Sequence, residues 1–259
     1  MGSEMCIRDR LIINSIVFKE ALEAGISQSD LLDQVHSLGF KRFEVRREFL
    51  RDIPQELGLL KAKANQLGLA LFYSVNEDLL VEGRLNPSLD ALLQETQVLQ
   101  APFLKLNIGD ASRLTSKTLS PIAGFLPAGM QLLVENNQDP KGASLANCVR
   151  FMTLASQTGL PIHFVFDTAN WAFVGESISQ AVIQMSPFTT YLHCKNYQQH
   201  STGLEMSTSL LEGELDITSL IQQFPNATYL ALEYATSKEE LLADARHLTQ
   251  LCSRFLYSR

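Results

Sequence analysis

Residues 131–167, QLLVENNQDPKGASLANCVRFMTLASQTGLPIHFVFD, decide the fold. The stretch opens on a short apolar run, QLLVEN (131–136), and closes on another, IHFVFD (162–167). Between them SLANCVRFMTLASQTG (144–159) carries apolar residues at helical spacing and stops at a glycine. Strand, helix and strand in that order predict two parallel strands joined by a crossover helix. Each strand also ends on a polar group, Glu135 in the first and Asp167 in the second.

The same alternation runs outward in both directions. Further strand candidates are LIINSIV (11–17), RFEVR (42–46), LALFYSV (69–75), FLKLNI (103–108), TYLHCK (190–195) and TYLALEY (228–234), which with the first two make eight. Helical patterns lie at 27–39, 53–68, 88–100, 144–159, 176–185, 216–224 and 237–256; Leu31, Leu32, Val35 and Leu38 form one stripe in the first of them. The segment 111–128, interrupted by Pro121 and Pro127, has the weakest pattern. Strict alternation over about 250 residues predicts an α/β protein of the (β/α)8 TIM-barrel type. An open doubly wound sheet is the competitor, but no GxGxxG turn follows the first strand, so a dinucleotide site is not indicated.

Side-chain parity favours the barrel. Leu133 and Glu135 share a strand face, as do His163, Val165 and Asp167. Tyr191, His193 and Lys195 share another, and so do Tyr229, Ala231 and Glu233. With those faces inward, each strand delivers its polar residue at the C-terminal rim, where the active sites of this fold lie.

Composition bounds the rest. A 46% hydrophobic content over 259 residues fits one barrel domain across 11–259. A net charge of −7 and a pI near 5.3 argue against nucleic acid as a partner and fit ordinary cytoplasmic solubility. The four cysteines, Cys6, Cys148, Cys194 and Cys252, form no CxxC pair and are expected as thiols in a reducing compartment. No apolar run approaches the roughly 20 residues that span a bilayer. The first one, LIINSIVF, is short and lacks a small-residue cleavage site. Residues 1–10, MGSEMCIRDR, resemble a cloning start followed by a translated sequencing adapter, and are set apart from the fold as a non-native segment. Their charges cancel, so the net charge is unaffected. Composition leaves a homo-oligomer open.

Glu135, Asp167, His193 and Glu233 each stand at or near the end of a strand run. Three carboxylates brought together without a cation would repel one another, and burying a carboxylate is costly unless it is paired. A divalent metal resolves both problems. Oxygen ligands with one imidazole suit Mn²⁺, Mg²⁺ or Co²⁺, and admit Zn²⁺. The plain alternative is that each acid caps a helix or pairs with a nearby Lys or Arg.

The runs LLVENNQ, FVFDTANW, YLHCKNY, LLEGELD and LALEY, in this order, resemble the sugar phosphate isomerase/epimerase group of xylose isomerase-like barrels, and the resemblance extends from Leu11 to the C-terminus. EVRREFL after the second strand resembles that group's acidic strand-two segment. The resemblance implies a divalent metal on Glu135, Asp167, His193 and Glu233, and makes Glu135 and Glu233 the catalytic acid/base pair flanking the substrate carbon. The expected activity is isomerisation or epimerisation of a small sugar or hydroxy-carbonyl compound through an enediolate, whose charge a metal stabilises. One departure stands out. Where the group often has Asp-x-x-His, this chain has Asp167-Thr168-Ala169-Asn170, and Asn170 can hydrogen-bond a hydroxyl but cannot titrate as an imidazole. Only five histidines exist, and the multi-zinc endonuclease branch uses more.

Other rim candidates are substrate contacts or parts of an ion network. Lys195 could meet a substrate oxygen or pair with a carboxylate. Lys105 and Asn107 on the fourth strand, and Glu44 and Arg46 on the second, have inward parity and the same two readings. Trp171 and Phe173 could wall off a sugar face or pack in their loop. The loops after strands seven and eight, NYQQHSTGLEMSTSLLEG and ATSKEE, show few glycines and no phosphate nest. An unphosphorylated sugar, polyol or hydroxy-keto acid therefore stands beside a sugar phosphate. The alternatives to isomerisation are loss of a β-hydroxyl by a dehydratase and sugar binding without catalysis.

Overall fold

The computed structural model describes the backbone of residues 11–256 and the side chains of residues 11–251. The non-native reading of residues 1–10 lies outside the described residues. Eight strands form the barrel: β1 (Leu11–Asn14), β2 (Arg42–Arg46), β3 (Ala70–Val81), β4 (Phe103–Gly109), β5 (Gln131–Glu135), β6 (Ile162–Asp167), β7 (Thr189–Cys194) and β8 (Tyr229–Leu232). Each pairs in parallel with the next, and β8 pairs with β1, which closes the barrel.

The periodicities explain the layers. Alternate strand residues Ile12, Phe72, Phe103, Leu133, Val165, Tyr191 and Ala231 fill the barrel. The intervening ones, among them Phe164, Phe166, Leu192 and Leu232, join the helix stripes in a larger outer core. Aromatic rings make the barrel floor. Phe72 and Phe103 lie 5.1 Å apart, Phe103 and Tyr191 5.4 Å, and the Arg42 guanidinium stands 5.0 Å from the Tyr229 ring. Above this floor the inward positions turn polar: Asn14, Glu44, Lys105, Glu135, Asp167, His193, Lys195 and Glu233, all buried. Register levels them, with Asn14 opposite Glu44, Asn107 opposite Glu135, and Asp167 opposite His193.

Helices begin and end where local chemistry places them. Ser27 caps Gln28–Ser37 by accepting from the Asp30 N–H at 3.2 Å. Ile53–Leu67 stops at Gly68, whose φ of +66° is left-handed. Leu89–Leu99, Leu145–Ser156, Ile178–Met185, Ile217–Ile221 and Lys238–Leu256 follow. Pro121 separates two single turns, Ser116–Leu119 and Ile122–Phe125, and Pro127 follows the second, so this crossover is broken.

Three differences from the sequence expectation bear on the site. The first strand ends at Asn14 rather than Val17, because the Asn14 carboxamide oxygen accepts from the Ile16 N–H at 3.0 Å and turns the chain into Ser15–Phe18. β3 runs on to Val81, shifts register against β4 between Ser74 and Asp78, and folds back on Arg84–Leu85. After β7 the chain forms an unforeseen antiparallel ribbon, Tyr197–His200 with Gly203–Met206. Cys148 and Cys194 are buried and neither is in a disulfide. Among the described residues no helix is long and apolar enough to cross a membrane.

Candidate metal centre

The four strand-end residues meet. Glu135, Asp167, His193 and Glu233 each offer a ligand atom, and these atoms lie within 4.8 Å of one another. β5, β6 and β7 carry the first three; Glu233 follows β8 directly. All four are at most 5% exposed, which takes their charges out of water.

His193 stands at the centre. Its Nδ1 is 2.7 Å from Glu135 Oε1 and 3.1 Å from Glu233 Oε2. The second oxygen of each glutamate is held by a cation. Lys105 Nζ donates to Glu135 Oε2. Arg46 Nη1 donates to Glu233 Oε1 at 3.0 Å, with Asn14 Nδ2 at 3.5 Å. Lys195 Nζ bridges Glu233 Oε2 at 3.0 Å and Asp167 Oδ2 at 2.6 Å. Asp167 Oδ1 accepts from the backbone N–H groups of Ala169 and Asn170, at 3.0 and 2.8 Å. Asn136 brackets its backbone, accepting from the Asp167 N–H at 2.9 Å and donating to its carbonyl at 3.2 Å.

Burial and charge oppose each other here. Burial would raise the Glu135 carboxyl, but Lys105 and His193 pull it down to about 2. Burial would raise Glu233 too, and His193 and Lys195 hold it well below the usual carboxylate range. At Asp167 burial prevails; with Glu233 and Glu135 adding to it against Lys195, the carboxyl rises to about 7. Burial would lower His193, yet Glu233, Glu135 and Glu44 lift it well above an ordinary imidazole.

These surroundings fit a dication. The donor set is mostly carboxylate oxygen with one imidazole. His193 Nε2 is also among the few buried polar atoms of the described residues with no hydrogen-bond partner, and Asp167 Oδ2 meets the Lys195 ammonium.

The structure sorts the other candidates. Lys195 and Lys105 are buried, Lys105 paired with Glu135 and Lys195 with Glu233 and Asp167. Asn170 lies in the cluster's shell, with both ends of its amide engaged: Nδ2 donates to the Asn136 carbonyl at 2.8 Å, and Oδ1 accepts from Gln138 Nε2 at 3.0 Å. Two expectations are corrected. Trp171 does not wall the cleft. Its ring has no exposure and packs 5.4 Å from Phe166 on the helix side, because the Asn170–Phe173 turn swings it behind β6. Glu44 is no substrate contact either. It has no exposure and accepts from Asn14 Nδ2 at 2.7 Å and from the Tyr191 hydroxyl inside the barrel. Phe173, after β6, and Tyr197, after β7, are part-exposed and lie edge to face at 6.2 Å. Asn14, Tyr191, Asn136 and Thr168 also contribute and were not singled out from sequence. Strand-end polarity with inward parity, the signal that picked out Glu135, would have found Asn14. Nothing local marks Thr168, whose Oγ1 accepts from the Lys195 N–H at 2.9 Å.

No family model and no curated protein sequence matches the chain. Solved structures do. The IolI protein with a bound zinc atom superposes with a TM-score of 0.66 at 11% identity, over 95% of both chains. D-psicose 3-epimerase in the presence of D-fructose gives 0.61 at 14%, over 95% of this chain and 98% of that one. A probable 3-DHS dehydratase, AsbF of Bacillus anthracis, gives 0.63 at 15%, over 93% and 98%. At these identities the likeness establishes the fold alone, a (β/α)8 TIM barrel.

Proposed function

We propose, from the premise of a (β/α)8 TIM barrel, that this chain is a divalent-metal-dependent isomerase or epimerase of a small carbohydrate or hydroxy-carbonyl compound. One observation carries the reading: Glu135, Asp167, His193 and Glu233 converge with their ligand atoms within 4.8 Å. These four would hold the metal, with Mn²⁺, Mg²⁺ or Co²⁺ favoured and Zn²⁺ admitted by the donor set. When bound, such an ion polarises a carbonyl and makes the adjacent C–H more acidic. The chain's own groups do the rest. Glu135 and Glu233, both held ionised, are the bases that take and return the proton on either side of the substrate carbon. Lys195, charged and buried, donates toward the oxygen on which negative charge develops. Phe173 and Tyr197 give an apolar wall for a sugar face.

An unphosphorylated substrate is favoured. Lys238–Leu256, the helix after β8, has its N-terminus covered by a carboxylate: Glu240 Oε2 accepts from the Ser237 N–H at 3.4 Å and from the Ser237 and Thr236 hydroxyls, both at 3.1 Å. A phosphate there would meet like charge.

A second reading has its own support. With Lys105 and Arg46 on the outer oxygens of Glu135 and Glu233, and the Asn170 amide engaged by the chain, a barrel that binds sugar without turning it over is coherent. The dehydratase reading shares the enediolate. A panel of ketoses, aldoses and keto acids, incubated with Mn²⁺-loaded protein in D₂O and followed by proton NMR, separates the three. Deuterium entering the carbon beside the carbonyl without loss of water is the expected result. Loss of water indicates the dehydratase, and saturable binding without exchange indicates a barrel that binds sugar without catalysis.

A further inference from the structure

We infer that Glu44 is the positioning residue that fixes His193 as a ligand through Nδ1. The inference rests on reading the cluster as a metal centre. His193 Nδ1 faces Glu135 Oε1 and Glu233 Oε2, so it is the ring nitrogen that points at the other ligands. Serving there requires a lone pair on Nδ1, which places the ring proton on Nε2. Nε2 is fully buried, has no hydrogen-bond partner, and faces Glu44 Oε1 at 3.4 Å. A small turn of the carboxylate or ring, with a closing movement of a few tenths of an ångström, makes that contact an Nε2–H···O bond within ordinary geometry.

Glu44 is itself fixed from two sides. Its Oε1 accepts from Asn14 Nδ2 at 2.7 Å, and its Oε2 accepts from the Tyr191 hydroxyl. A carboxylate oxygen takes two donors, so Oε1 retains a site for the histidine. The Tyr191 ring stands edge-on to the His193 ring at 4.8 Å and keeps it from turning. Carboxylate, imidazole and ligand cluster thus lie in series, an arrangement that orients ligand histidines and raises their basicity. Two side chains expected at the rim as a substrate contact and a metal ligand become one unit.

The test begins with wild-type protein, stripped by chelator and loaded with Zn²⁺, whose histidine ring nitrogens are read by ¹⁵N NMR. A protonated Nε2 and a metal-bound Nδ1 at His193 are expected; the opposite pattern overturns the inference whatever any variant does. Titration calorimetry with Mn²⁺ then compares wild type, Glu44→Gln and Tyr191→Phe, each checked by circular dichroism. Glu44→Gln should bind about 10- to 100-fold more weakly. Tyr191→Phe, which keeps the carboxylate, should stay within about threefold. Unchanged affinity in Glu44→Gln, or equal losses in both variants, overturns the role of Glu44 while leaving the centre standing. Failure of the wild type to bind Mn²⁺ or Zn²⁺ overturns both.

Discussion

At the scale of the residue, Lys105 and Glu135 show what burial demands. Both are nearly inaccessible, and each is tolerable because the other is there. In metal-free protein, Lys105→Met should therefore cost about 3–5 kcal/mol in urea unfolding, since it strands a buried carboxylate. The pH dependence has a definite sign. Glu135 titrates near 2 folded against an ordinary 4.5, so the folded state favours its ionised form. That contribution is present above pH 4.5 and lost as pH falls toward 2. In Lys105→Met the folded-state preference for the ionised form should shrink, so the fall in melting temperature between pH 4.5 and 2 should be shallower than in wild type. Asn170→Ala should cost about 1–3 kcal/mol by leaving the buried Asn136 carbonyl unpaired; a group that serves only substrate would leave stability unchanged. Which residues reach the rim was legible, because strand parity and strand ends fix it. Which cation meets which carboxylate was not. Lys195 takes two carboxylates and Glu44 sinks below the rim, and both outcomes depend on side-chain reach across strands far apart in sequence.

At the scale of the element, the eight strands and most of the helices were legible because their apolar spacing is clean. The ribbon 197–206 was not legible because YQQH has one apolar residue and GLEM alternates over only two, Leu204 and Met206, too short a pattern to mark a strand. The run of β3 past Val75 was hidden by Asn76, Glu77 and Asp78, which read as a loop. Trp171 was misplaced because a residue in a turn after a strand has no parity to fix its side. Its burial between β6 and the helices gives a test. Trp171→Ala should cost about 3–5 kcal/mol by opening a cavity. Trp171→Phe should cost less, since the indole N–H has no partner to lose. Substrate KM should be the same in Trp171→Phe as in wild type; a large rise in KM alone would return the ring to the cleft.

At the scale of the molecule, closure of the barrel turns strand ends scattered from Asn14 to Glu233 into one polar layer above an aromatic floor. That layer is where the fold stores cost. Four carboxylates are buried together, balanced by Lys105, Lys195, Arg46 and His193. A dication bound only by the folded state should add stability by mass action, about 2.7 kcal/mol at a free concentration 100-fold above Kd. The melting temperature should rise with added Mn²⁺ and fall with EDTA, and His193→Ala should remove the response. The most direct test is anomalous diffraction from crystals grown with Mn²⁺. One strong peak is expected, with Glu135, Asp167, His193 and Glu233 ligand atoms at about 2.0–2.6 Å. No peak among these four side chains, or a peak elsewhere, would contradict it.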